Sequence, residues 1–212
     1  MVEYNPPKGS LKVLRYGAAF LCVEKPSGLL SVPGKDPAHA DCLEVRVRAE
    51  CPEALLIHRL DMDTSGVMIF ARGAKAQRHL GLQFERRVVS KRYLAKVEGQ
   101  VEAPRARIDL PIITDWPNRP LQKICHETGK RAITRFLVLE RGADVSRVAL
   151  YPRTGRSHQL RVHMKAIGHT ILGDRFYGTG DSADRLMLHA ERLRFRDPEG
   201  GVWVDVSSSP EF

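Results

Sequence analysis

The sequence predicts an α+β fold: a mixed, mainly antiparallel sheet with flanking helices and loops. Short apolar runs bounded by Gly and Pro turns outnumber segments with a helical period, and those helical segments do not alternate with strands as parallel βαβ units require. The last two runs, 186–195 and 202–206, are separated only by Asp197-Pro198-Glu199-Gly200-Gly201, a turn that can pair them as a hairpin. No internal repeat or low-complexity segment interrupts this pattern.

Residues 1–10 carry two prolines, a glycine and a serine with little apolar content, and read as an N-terminal extension that wraps the surface or frays. Residues 11–212 read as one domain, long enough to bury a sizeable core. A strand pattern starts at Leu11, and Ala18 to Val23 is a short apolar run that ends in the turn Glu24-Lys25-Pro26-Ser27-Gly28. Asp41 to Glu50 fits a helix imperfectly. Gly73 to Val88 fits one well, because Ala76, Leu80, Phe84 and Val88 recur every four residues. A strand is expected at Lys91 to Val97.

Residues 99–131 read differently, as a long irregular excursion with four prolines, one tryptophan (Trp116) and the basic residues Arg119, Lys123, Lys130 and Arg131. Long loops of this kind are functional or disordered. An aromatic among positive charges suits stacking on a nucleic-acid strand and neutralising it; the alternative is that Trp116 pins the loop to the body. Strands return at Ala132 to Glu140 and Arg147 to Arg153. Ser157 is then the expected N-cap of a helix from His158 to Ile167, closed by Gly168.

With 34 Lys and Arg against 25 Asp and Glu, the net charge is +9, and the positive residues recur along the whole length. A polyanionic partner such as RNA or DNA fits that balance; so does a merely soluble basic protein. No apolar run approaches the roughly 20 residues of a membrane span, and the start lacks a signal-peptide core, so a cytoplasmic location is expected. Cys22, Cys42, Cys51 and Cys125 lack metal-ligand spacing and are expected to be reduced thiols. His158 and His163 are five apart, the wrong spacing for two ligands on one helical face. No phosphate-cradling Gly-rich loop, dinucleotide fingerprint or Gly-x-Ser-x-Gly elbow occurs. Nucleotide hydrolysis and serine hydrolysis are therefore poorly supported.

What remains is a carboxylate near arginines. In His58-Arg59-Leu60-Asp61-Met62-Asp63-Thr64-Ser65-Gly66, followed by the apolar run Val67 to Ala71, an acid and a base stand at the entrance of a buried strand. Backbone beside such a strand is rigid, so a carboxylate there can be aimed.

This block is followed in order by Lys91-Arg92-Tyr93-Leu94-Ala95, then the run from Gly155 to His163, then Gly173-Asp174-Arg175-Phe176-Tyr177-Gly178, then Leu188-His189-Ala190. In content and order these blocks resemble those of RluA-family pseudouridine synthases, over about residues 11–212. Asp115 to Pro120 and Cys125 to Lys130 resemble the branch of that family that acts on both 23S rRNA and tRNA.

The resemblance implies the pseudouridine synthase catalytic fold for 11–212, without the N-terminal S4 domain of another branch. It implies a reaction that breaks the glycosidic C–N bond of uridine, turns the uracil and remakes the link at carbon 5. No group leaves the site, so one carboxylate is enough. By resemblance Asp61 is catalytic; whether it attacks base or sugar or removes a proton stays open. Arg161 is implied as the positive partner that keeps Asp61 ionised, Tyr93 as a stacking and proton-transfer residue, and Leu188 as the contact on the other face of the base. Arg59 is implied to fill the space left when the uridine is extruded; its plain alternative is an ion pair with Asp61 or Asp63. Neither metal nor cofactor is implied. The expected partners are 23S rRNA and tRNA stem-loops, gripped in part through Trp116, Arg119 and Lys123. The rival from another class is a non-catalytic RNA-binding or RNA-folding protein on the same scaffold, and a tRNA-only or rRNA-only synthase is a third reading.

Overall fold

The computed structural model describes residues 4–212. Along the chain run β1 (Lys12–Tyr16), β2 (Phe20–Lys25), α1 (Leu43–Glu50), β3 (Ala54–Leu56), β4 (Ser65–Arg72), α2 (Ala74–Glu85), β5 (Ser90–Glu98), β6 (Arg105–Asp109), β7 (Ile112–Thr114), β8 (Gln122–Ile124), β9 (Ile133–Arg141), β10 (Val145–Pro152), α3 (Gln159–Ala166), β11 (Leu188–Arg196) and β12 (Trp203–Ser207). β4 and β11 pair in parallel; the other pairings described below are antiparallel. The expected mixed, mainly antiparallel sheet with flanking helices is what forms, and no S4 domain is present among the described residues. Tertiary contacts gather the chain into two compact units, one of residues up to Lys91 together with His189–Glu211, the other of Arg92–Leu188 with Phe212.

In the first unit β2 lies between β1 and β4. The other edge of β4 is shared: β3 pairs with its end at Phe70 to Arg72, and β11 pairs with its start at Ser65 and Gly66. β12 continues from β11 through the predicted hairpin, with Arg192 opposite Ser207 and Arg196 opposite Trp203. Seven of the eight β4 residues are buried, as a continuous apolar run implies for a strand covered on both faces. Val67, Ile69 and Ala71 join Phe20, Cys22, Leu193, Phe195 and the α2 residues Ala76 and Leu80 in one core. α2 has the predicted period but stops at Glu85, short of Val88. Arg87 takes a left-handed conformation (φ 58°), Val88 N–H donates to Gln83 O, and Arg87 N–H donates to Phe84 O. That is a helix-closing motif usually signalled by glycine, so no residue type marks this end. Tyr4 tethers the N-terminal extension: its hydroxyl donates to Asp41 O and accepts from Leu30 N–H.

In the second unit the order is β5, β10, β9, β6, with α3 packed on the same core through Leu160 and Met164. The irregular excursion expected at 99–131 is corrected here. It contains β6 on the edge of β9 and a small hairpin, β7 with β8, whose Ile112 and Ile124 pack with Ala132, Val162 and Tyr177. β6 escaped notice because four of its five residues are exposed, and three-residue strands are too short to show alternation.

The start of α3 also differs from expectation. Ser157 does not cap it; His158 stands at the cap in a left-handed conformation with no side-chain cap bond. Gln159 anchors the helix instead: its Oε1 accepts from Thr154 Oγ1 and Arg156 N–H, and its Nε2 donates to Ile133 O and Thr134 Oγ1. The end is as expected, with Gly168 at φ 86° and N–H bonds from Gly168 to Lys165 O and from His169 to Met164 O. Among the described residues no helix is long and apolar enough to cross a membrane.

Candidate active site

Asp61 is half-buried in the turn between β3 and β4, and the residues on either side of it are held by one short segment, 25–31. Ser31 Oγ donates to Leu60 O (2.7 Å) and accepts from Leu60 N–H (3.1 Å). Lys25, fully buried, donates from Nζ to Met62 O (2.7 Å), Leu29 O (2.6 Å) and Pro26 O (2.9 Å). Gly28 N–H donates to Met62 O, and Ser27 Oγ to Asp63 O. Thr64 N–H closes the turn on Asp61 O (3.2 Å). A buried ammonium is tolerated only where its donors are taken up. Here they are spent on fixing the backbone that aims Asp61. The sequence marked 24–28 only as a turn, and nothing in its composition told that its lysine points inward.

β4 is fixed next to Asp61 by two further contacts. Ser65 Oγ lies 2.8 Å from His189 Nδ1, and His189 Nε2 lies 2.9 Å from Ser208 O. A carbonyl can only accept, so Nε2 carries the proton and, in the neutral ring, Nδ1 accepts from the Ser65 hydroxyl. Both side chains are buried, which removes this pair from consideration as a serine nucleophile. Gly66 (φ 118°) is required: a Cβ there would lie 2.3 Å from Ala190 O. His58 stacks on Phe84 (4.7 Å between ring centroids) and accepts from Ile69 N–H at Nε2, and burial pushes its imidazole down to about 3. It is neutral and structural. Arg59 is exposed and forms no ion pair with Asp61 or Asp63 among the described residues, so the plain alternative for it does not hold.

The second unit carries the remaining predicted residues. Arg161 is the third residue of α3 and 2% exposed. Its Nε and Nη2 donate to the two oxygens of Asp174, each at 2.7 Å, and its guanidinium carbon lies 5.1 and 5.2 Å from the ring centroids of Phe176 and Tyr177. Asp174 Oδ1 also accepts from the Phe176 and Tyr177 amides. Burial by itself would raise the Asp174 carboxyl, but the Arg161 hydrogen bonds and charge, with those amides, outweigh it and hold the carboxyl below its usual range. Gly173 permits the turn, since a Cβ there would lie 1.9 Å from Arg185 O. Asp174 is the partner of Arg161 that sequence reasoning missed. Its signal was an acid after a glycine and two residues before a pair of aromatics, but the block carried no assigned role.

Tyr177 links this cradle to the hairpin. Its hydroxyl accepts from Gln122 N–H on β8 (2.9 Å) and lies 2.7 Å from His158 Nδ1 at the start of α3. Tyr93, on β5, is half-buried against an apolar cluster that also contains Leu188, Leu160 and Met164. Trp116 is 64% exposed in the turn between β7 and β8, so it does not pin this segment to the body. The Arg119 guanidinium lies 4.8 Å from its ring centroid, and Lys123 pairs with Asp115 (3.0 Å). Among the described residues no group of three or more His, Cys, Asp or Glu side chains is arranged to hold a metal ion. The four cysteines form no disulfide, and three of them are buried.

The chain matches the family model described as RNA pseudouridylate synthase over residues 19–166. It is 50% identical over 217 residues to the dual-specificity RNA pseudouridine synthase RluA of Escherichia coli (strain K12), which covers 100% of this chain and 99% of that protein. It is 49% identical over 208 residues to the protein of the same name from Vibrio vulnificus (strain CMCP6), covering 94% of this chain and 83% of that one. Among solved structures, human RNA pseudouridylate synthase domain containing 1 superposes with a TM-score of 0.81 at 32% identity, over 98% of this chain and 87% of that one. The human domain-containing 4 protein, at 22% identity and a TM-score of 0.76 over 94% of this chain and 89% of that one, shares the fold. A family model that spans most of the chain, and relatives half-identical along nearly all of it, establish that the chain belongs to the RluA family of RNA pseudouridine synthases, isomerases that turn uridine in RNA into pseudouridine.

Proposed function

We propose that the chain isomerises one uridine in 23S rRNA and one in tRNA, each in a stem-loop, with Asp61 as the catalytic carboxylate. The observation that carries the assignment to Asp61 is its turn, where Ser31, Lys25, Gly28 and Ser27 fix the backbone on both sides of a half-buried acid. A surface carboxylate does not need such a frame; an aimed one does. Dual specificity is supported by the name shared by the half-identical relatives and by the match of Asp115–Pro120 and Cys125–Lys130 to the branch that acts on both RNAs.

In this reading Arg161 supplies the positive charge that keeps the catalytic carboxylate ionised, and its rigid seating makes that charge available without reorganisation. Tyr93 stacks on the uracil and takes part in proton transfer, and Leu188 covers the other face of the base. Arg59, exposed beside Asp61, enters the helix space that the extruded uridine leaves. Trp116, Arg119 and Lys123 on the hairpin turn grip the RNA by stacking and phosphate contact. The exposure of Trp116 suits that role.

Wild-type protein and Asp61→Ala, incubated with unmodified tRNA and 23S rRNA transcripts, test the reading. The expected result is pseudouridine in both RNAs with the wild type, none with the variant, and RNA binding by both. Equal product from the two proteins would remove Asp61 as the catalyst; product in only one RNA would remove dual specificity.

A further inference from the structure

The hairpin of β11 and β12 carries a basic surface that the reaction has not used. Burial alternates along β11: Leu193 and Phe195 enter the core, while Arg192, Arg194 and Arg196 are exposed on the opposite face. β12 alternates in step, with Val204 and Val206 buried and Trp203, Asp205 and Ser207 outward. Register sets Arg196 opposite Trp203 and Arg194 opposite Asp205.

The one outward acid of this face is already committed. Asp205 reaches past Arg194 to make a two-pronged pair with Arg192. Among the described residues neither Arg194 nor Arg196 makes a salt bridge, although the Arg194 charge also helps to hold the Asp205 carboxyl low. Both lie instead over Trp203, 4.8 and 4.2 Å from its ring centroid, and Arg196 Nη1 donates to Gly201 O (2.9 Å). The neighbouring Asp197 is occupied in its own turn, where it accepts from Glu199 N–H. An aromatic ring beneath a guanidinium fixes its plane and leaves the edge donors outward, the arrangement that recognises phosphate oxygens. Trp203 itself remains 42% exposed.

We propose that this ribbon is a second RNA contact surface, on which Arg194 and Arg196 bind phosphates of nucleotides flanking the target uridine. Charge complementarity names the occupant: two guanidiniums seated on one ring, neither in a salt bridge among the described residues, on a protein whose substrate is RNA. Position agrees with it. β11 starts beside the Asp61 turn, since His189 pairs with Ser65, and Arg194 lies five residues further on, roughly 17 Å along a strand that rises about 3.3 Å per residue. RNA held with its uridine at Asp61 spans that distance within a stem-loop. The placement of the uridine rests on the assignment of Asp61, whereas the phosphate contacts rest only on RNA as substrate.

The test compares wild type with the double variant Arg194→Gln/Arg196→Gln. Filter binding is measured from low to moderate KCl with total RNA from a strain lacking the enzyme, which contains the substrate whatever its identity. Loss of two phosphate contacts should weaken binding three- to tenfold at low salt and make the log–log salt dependence shallower by roughly 1 to 1.5, at about 0.7 per contact for single strands. Affinity within twofold of wild type with an unchanged slope would overturn the proposal. A second measurement uses the wild type alone: RNA should protect Arg194 and Arg196 from phenylglyoxal, and equal modification with and without RNA would refute the contact even if the double variant fails to fold. Failure of the Asp61 assignment would appear separately, as product from Asp61→Ala, with these results unaltered.

Discussion

Arg161 and Asp174 are joined by two parallel hydrogen bonds of 2.7 Å at a site where both side chains are almost wholly buried. A buried pair of this kind is weak evidence of extra stability, because desolvating both charges offsets much of their attraction. Its consequence is orientation: with Asp174 also held by two amides, the guanidinium has one position.

Neutralising Asp174 breaks a buried two-pronged pair and removes the acid that both guanidinium donors reach. Asp174→Asn should therefore cost about 3–5 kcal/mol of stability at pH 7, read by urea unfolding. The carboxyl is held below its ordinary value, so its contribution is complete above the unfolded value near 3.9 and disappears as pH falls through the lower folded value. The gap between wild type and Asp174→Asn should narrow as the pH is lowered below about 4. A gap that stays constant down to pH 2 would show that Asp174 is not the ionised partner of Arg161.

The clamp on the Asp61 turn predicts a different kind of loss. Ser31→Ala leaves the Leu60 N–H and C=O without their hydroxyl partner in a buried place, at about 1–3 kcal/mol. Because the turn it releases carries Asp61, kcat should fall about tenfold or more while KM moves less than threefold. Steady-state kinetics with a tRNA transcript checks this. A change in KM alone would make Ser31 a residue of RNA binding instead of positioning.

His58 predicts sensitivity to mild acid. Burial lowers its imidazole from an ordinary value near 6.5 to about 3. Between those values the unfolded chain binds a proton that the folded chain does not, so stability falls as pH drops below about 6.5. The ceiling is about 1.4 kcal/mol per pH unit. His163, lowered by burial as well, adds to the slope in the same direction. His58→Gln should be less stable at pH 7, through lost packing on Phe84, yet lose less on going from pH 7 to pH 5. Parallel pH profiles for the two proteins would show that His58 is protonated alike in both states.

Several parts of the fold were legible in the sequence because their cause is local. β4 shows as an unbroken apolar run, α2 as apolar residues every four positions, and the β11–β12 hairpin as two runs around a Pro and two glycines. Their ends were less legible. α2 is closed by Arg87 in a conformation that gives no compositional sign, and α3 is started by Gln159 through bonds to Ile133 and Thr134 on β9. β6 was hidden because its exposed edge is charged.

The same division runs through the site. By itself the sequence determined the fold class, the family and the identity of the candidate residues, since ordered blocks such as His58–Gly66 and Gly155–His163 are carried by residue type and spacing. Only the tertiary structure decided what holds them. Arg161 finds Asp174 thirteen residues away, Lys25 finds the Met62 carbonyl thirty-seven away, and Ser65 finds His189 one hundred and twenty-four away. The physical reason is that a buried polar group must be satisfied by whichever partner the packed chain brings within about 3 Å. That neighbour is set by the folded path of the chain, to which the periodicity of a single segment is blind.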